Sequence, residues 1–214
     1  RTVTVSVRDN GDGTLNVTQE ITEAGLTFTN KYADGETTLG VTKVLSGREF
    51  KSGDEWTFTL TAAEGTPMPA QTVVKTNATS GYSQSLSFGT IKYSLEDVGN
   101  TYTYTIQETG SAEGVTNDPN ATRTVTITVS EGKDGKLDIA RTESTGGTVF
   151  TNTYTAEGSL TLEANKTLKN KTLEAGDFNF VLKDENGEIV QTVANDADGN
   201  VTFSPLNYTL EDVG

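Results

Sequence analysis

The sequence predicts an all-β chain of tandem immunoglobulin-like antiparallel β-sandwich modules, one complete and two partial. Three observations predict it: apolar and polar residues alternate at period two, tight-turn dipeptides separate the alternating runs, and the pattern recurs along the chain. No segment carries a sustained helical period with caps.

The alternation is plain in Val3, Val5 and Val7, in Trp56, Phe58 and Leu60, in Tyr102, Tyr104 and Ile106, and in Val125, Ile127 and Val129. Each run offers one apolar face, as a half-buried antiparallel strand does. Asn10-Gly11-Asp12-Gly13, Asp134-Gly135, Asn186-Gly187 and Asp198-Gly199 supply the positive φ angles of tight hairpins.

Four segments recur in the same order. RTVTVSVRDNGDGTLNV from Arg1 matches RTVTITVSEGKDGKLDI from Arg123, and LTFTNKY ending at Tyr32 matches TVFTNTY ending at Tyr154. GVTKVLSGREFKSGDEWTFTL from Gly40 matches EANKTLKNKTLEAGDFNFVL from Glu163, and IKYSLEDVG ending at Gly99 matches LNYTLEDVG ending at Gly214. The first two pairs close a module and the last two open one. The register therefore divides the chain into residues 1–33, the closing strands of a preceding module, 34–156, a complete module, and 157–214, the front of a following one. Joined notionally, the two fragments lack a counterpart of Asn100 to Thr122, and both chain ends are expected to fall inside modules.

Composition narrows the function. Thirty acidic against 16 basic residues give a net charge of −14, which disfavours nucleic acid and anionic membrane as partners. The chain has no Cys and no His, so thiol nucleophiles, disulfides, the common zinc sites and imidazole triads are excluded. No apolar run approaches the length of a membrane helix. No cofactor, metal or small-molecule substrate is expected.

Strand parity exposes polar residues on faces that should be apolar. Lys43 shares a face with Val41 and Leu45, and Lys166 shares one with Leu160, Leu162, Ala164 and Leu168. Asn152 shares a face with Phe150 and Tyr154, and Asn30 repeats this with Leu26, Phe28 and Tyr32. Glu108 continues the inward row of Tyr102, Tyr104 and Ile106. Burying a lone Lys or Glu costs several kcal/mol, so the group must pair, change protonation state or react. A structural ion pair and a snorkelling lysine both meet that requirement. So does chemistry. Desolvation disfavours both charged forms, leaving a neutral amine beside a neutral acid. An amine lying against Asn152 Cγ could attack it, with Glu108 hydrogen-bonding the amide oxygen and shuttling protons as ammonia leaves. The product is a Lys–Asn isopeptide bond.

The pattern TKVLSG, FTFTL-like, YSLEDVG, YTYTIQE and VFTNTY resembles the isopeptide-linkage domains of Gram-positive pilin backbone subunits and related surface adhesins, over essentially the whole chain. The resemblance implies an autocatalytic cross-link between Lys43 and Asn152 promoted by Glu108. The lysine and asparagine roles also map onto Lys166 and Asn30, whose partners lie outside this chain. It implies a structural stalk or pilus-shaft module on the bacterial cell surface, not an enzyme, whose partners are adjacent modules of the same array and neighbouring subunits of a fibre. No LPxTG-like sorting signal or pilin-motif lysine is evident in these residues.

Two other classes compete. A calcium-stabilised adhesin repeat would use the acidic clusters at Asp9 to Gly13, Asp184 to Glu188 and Asp196 to Gly199, although hairpin turns demand the same residues. A carbohydrate-binding repeat needs exposed aromatic platforms, whereas Trp56 has core parity. Glu96-Asp97, repeated at Glu211-Asp212, reads as a recurrent turn rather than a catalytic dyad.

Overall fold

The computed structural model describes residues 2–21, 25–30, 33–133 and 135–214. Arg1, Tyr32 and Asp134, which enter the sequence patterns above, lie outside them. β1 (Val3–Asp9) and β2 (Leu15–Ile21) form an antiparallel hairpin pairing Val3 with Ile21 and Val7 with Val17. The turn between them is closed by Asp9 and Asp12, whose carboxylates accept from the Gly11 and Thr14 amides.

Nine strands follow: β3 (Gly35–Ser46), β4 (Trp56–Ala62), β5 (Val73–Lys75), β6 (Ser83–Tyr93), β7 (Thr101–Gly110), β8 (Val115–Thr116), β9 (Thr122–Glu131), β10 (Leu137–Glu143) and β11 (Val149–Tyr154). They make two sheets, ordered β10-β9-β7-β4-β5 and β6-β3-β11-β8. One pairing is parallel: β11 lies beside β3, with Phe150 opposite Lys43 and Asn152 opposite Leu45. The first and last strands of the unit are thus direct neighbours. The two inner faces enclose one core. Leu39, Val41, Leu45, Ile91 and Phe150 come from one sheet, and Trp56, Phe58, Leu60, Tyr104, Ile106, Val125, Ile127 and Val129 from the other. Each fully buried side chain of this size contributes about 1.5–3 kcal/mol from desolvation. The β3–β6 register shifts between Leu39 and Gly40, where Leu39 faces Gly89, Gly40 faces Ser87, and Phe88 is the extra residue on β6. A Cβ on Gly40 would lie 2.5 Å from the Leu86 carbonyl oxygen, so only glycine fits there.

The third region contains β12 (Glu157–Leu160) paired with β17 (Leu206–Thr209), β13 (Glu163–Asn165) with β16 (Asn200–Thr202), and β14 (Asn179–Lys183) with β15 (Ile189–Ala194). This reproduces in pieces the β3–β6 and β4–β5 pairings. Its buried residues are Asn195, Gly199, Val201 and Phe203. Leu95–Asp97 and Leu210–Asp212 are both capped 3-10 turns, with Asp97 and Asp212 each accepting from the preceding Ser94 or Thr209 amide at 2.7 Å. The repeated acidic pair is therefore a turn.

Burial departs from the sequence expectation outside residues 34–156. Val3, Val5, Val7, Leu26 and Phe28 are exposed, because the strands that cover their counterparts β9 and β11 have no equivalent among the described residues of this segment. Leu160 is exposed and Leu162, Lys166 and Leu168 are half-buried, since no equivalent of β7 or β9 closes over that face.

Candidate functional site

Lys43 stands in the C-terminal half of β3, flanked on its face by Val41 and Leu45, and its side chain is 0% exposed. Glu108 stands on β7 of the facing sheet, opposite Phe58 of β4, and is 1% exposed. Period two sends both side chains into the core, where Nζ of Lys43 lies 2.8 Å from Oε1 of Glu108. The contact is close but poorly aligned: neither Glu108 oxygen nor the lysine nitrogen makes a well-directed hydrogen bond. The ammonium also sits 4.9 Å from the centre of the Trp56 ring. Burial pushes the Lys43 pKa below its ordinary 10.5, against the opposing pull of Glu108 and, more weakly, of Asp118.

Asn152 of β11, wholly buried, presents its amide on the same sheet as Lys43 and one strand over. Its partners come from the turn after β8, residues the sequence reading passed over. The Asp118 amide donates to Asn152 Oδ1 at 2.8 Å, and Asn152 Nδ2 donates to Asn117 Oδ1 at 2.9 Å. The Trp56 indole donates to that same Asn117 oxygen at 3.1 Å. The expected hydrogen bond from Glu108 to the amide oxygen is absent among the described residues: Glu108 contacts the lysine, and a backbone amide contacts the oxygen.

A second missed residue holds the turn. Arg123 opens β9 in the inward row of Val125, Ile127 and Val129 and is 5% exposed. It donates to the Asn120 carbonyl, to Asp118 Oδ2 at 3.0 Å and to the Val149 carbonyl at 3.3 Å, and lies over the Phe150 ring. Asp118 also accepts from the Thr151 and Asn120 amides. Burial alone would raise its pKa, but those backbone donors and the guanidinium outweigh it and hold the carboxyl below its usual range. Parity at position 123 and the polar run Asn117-Asp118-Pro119-Asn120 were the available signals.

The other predicted site residues are not assembled. Asn30 is exposed and outside any strand, and among the described residues no strand pairs with residues 25–30. Lys166 follows β13 and is half-buried, its Nζ 4.4 Å from the centre of the Phe178 ring. Phe178 occupies the repeat position of Trp56, so both lysines rest on an aromatic face. Trp56 itself is 0% exposed and offers no platform to a carbohydrate. Among the described residues no three acidic side chains converge as a metal site would need.

The family model described as the Spy0128-like isopeptide containing domain, FctA, matches residues 1–33 and 39–155. The chain belongs to this family, as its motifs suggested. Among solved structures it is similar to the major pilin protein (T-13) from Streptococcus pyogenes serotype GAS131465, at 18% identity and a TM-score of 0.35, over 87% of this chain and 77% of that one. It is also similar to the major pilin protein (T3.2) from Streptococcus pyogenes serotype GAS13637, at 15% identity and a TM-score of 0.30, over 84% of this chain and 75% of that one. No curated protein matches the chain.

Proposed function

We propose that this chain is a structural shaft module of a bacterial surface fibre, stabilised by an autocatalytic isopeptide bond between Lys43 and Asn152. The observation that carries the reading is the buried Lys43–Glu108 contact, 2.8 Å long, on the strand adjacent to the buried Asn152 amide. A permanent ion pair there would leave both Glu108 oxygens and the ammonium poorly satisfied, at a cost of several kcal/mol. Reaction removes that cost. Lys43 passes a proton to Glu108, and the neutral amine attacks Asn152 Cγ. The Nζ–Cγ bond forms and the Cγ–Nδ2 bond breaks. Glu108 relays a proton from the attacking nitrogen to Nδ2, which leaves as ammonia, and one proton stays on the glutamic acid. The event happens once per molecule, so the chain is not an enzyme.

Mechanics gives the bond its use. Force entering along β3 and leaving along β11 would load two adjacent parallel strands, and a covalent tie between them carries it past the intervening sheet. Because no cysteine takes part, reductants cannot release it. The division into modules 1–33, 34–156 and 157–214, the immunoglobulin-like character of the complete one, and partnership with neighbouring modules or subunits at the bacterial surface all belong to this reading. Support comes from the internal repeats and the two segments of family match. Proteolysis followed by peptide mass analysis tests it: a branched peptide joining the Lys43 and Asn152 segments is expected, and recovery of both as separate linear peptides would refute it.

A further inference from the structure

Both ends of the Asn152 amide are fixed by partners that can act in one sense only. A backbone N–H and an indole N–H are donors and never acceptors. The Asp118 N–H must therefore face the amide oxygen. Asn117, which accepts from the Trp56 indole through Oδ1, must receive the Asn152 nitrogen on that same oxygen. The orientation of the electrophile is thus dictated by the network, with the leaving nitrogen held on one side and the carbonyl oxygen on the other. We infer that the Asn117–Asp118 turn is the amide clamp of the self-cross-link, with the Asp118 backbone N–H as the donor to the oxygen on which negative charge develops and Trp56 as the positioning residue that ties nucleophile to electrophile.

This inference rests on the cross-linking reading and deepens it. Attack on Cγ moves charge onto Oδ1, and a donor already 2.8 Å away strengthens its bond without reorganising. Asn117 stops the amide from rotating, and its own position is set by donation from its Nδ2 to the Gly110 carbonyl at 2.7 Å. Trp56 touches one reactant and the clamp of the other: its ring face lies beneath Lys43 Nζ, and its indole N–H reaches Asn117, which holds Asn152. The aromatic support does not depend on the glutamate strand, because Lys166 rests on Phe178 in a region that has no counterpart of β7.

The test is the rate of ammonia loss after cell-free synthesis of the full chain, quenched in denaturant at intervals and read by intact mass across about pH 6 to 9. Wild type, Asn117→Ala and Trp56→Phe are compared. Asn117→Ala should lower the plateau rate on the order of tenfold or more, and Trp56→Phe by a few-fold, without moving the pH midpoint, since neither group titrates. Phe occupies the equivalent repeat position, so Trp56→Phe carries the test if Asn117→Ala does not fold. Wild-type rates in the variants would overturn the clamp. So would a shifted midpoint, which would mean that the variants merely hydrate the Lys43–Glu108 pair. A wild type that never loses ammonia would instead sink the cross-linking reading itself.

Discussion

Replacing Glu108 by Gln keeps the shape of a side chain that is almost wholly buried and removes the carboxyl proposed to relay the proton. The variant should fold and stay unlinked. Lys43 and Asn152 are 109 positions apart (residue 43 to residue 152), and closing a loop of that size is worth about 4–5 kcal/mol on the chain-entropy model. For a unit of this size each kcal/mol moves Tm by about 3–5 °C, so the variant should unfold ~12–25 °C below wild type. The pH dependence gives a second, independent signature. Without Glu108 its two contributions that raise the Lys43 pKa are gone and only the weaker pull of Asp118 is left, while the burial that lowers it remains. The folded variant then binds fewer protons than the unfolded chain between that lowered pKa and 10.5, and its stability rises with pH through that window. Above about pH 10 the buried Tyr93 and Tyr104 hydroxyls, whose pKa values burial raises, reverse the slope. Linked wild type has no amine at position 43 and lacks the lysine component. Calorimetry of both proteins from about pH 6 to 10 reads both signatures. A variant melting within a few degrees of wild type and sharing its pH slope would refute the reasoning.

Other consequences follow from the same contacts. Arg123→Ala strips Asp118 of its guanidinium and frees the turn from β9, and should cost about 3 kcal/mol by denaturant unfolding in a Glu108→Gln background, where the cross-link does not mask it. Asp54 takes a two-pronged hydrogen bond from Arg48 at 2.6 and 3.0 Å, which, with the Lys51 amide, outweighs burial and holds its pKa below 3.8. Its contribution is full above pH 3.8 and is lost as pH falls through the lowered value, so Asp54→Asn should lower Tm at neutral pH and flatten the acid limb of the profile. Chelation should leave Tm unchanged. A fall of several degrees, reversed by calcium, would favour the calcium-stabilised repeat instead.

The two-sheet unit from β3 to β11 was legible because its inward rows are long. Leu39 to Leu45, Tyr104 to Glu108 and Val125 to Val129 keep strict period two, and parity alone put Lys43, Asn152 and Glu108 in one core. The same parity failed for Asn30, Lys166 and Val3 to Val7. Alternation states which face a strand offers, while burial requires another sheet to cover it, and that is a property of strands distant in sequence. The clamp was illegible for a different reason. Asn117 and Asp118 lie in a turn, where no period exists to read, and Asp118 acts on Asn152 through a backbone amide that every residue but proline possesses. Arg123 could have been found, since it heads an inward row, but its apolar neighbours drew the pattern without it.

The central claim meets its most direct test in the intact mass of the purified chain beside a Glu108→Ala variant. The account predicts a wild-type mass below the sequence value by one ammonia and a variant deficient only by the substitution itself. Both proteins at their full sequence masses would contradict it, leaving Lys43, Glu108 and Asn152 as a buried polar network in an unlinked structural repeat.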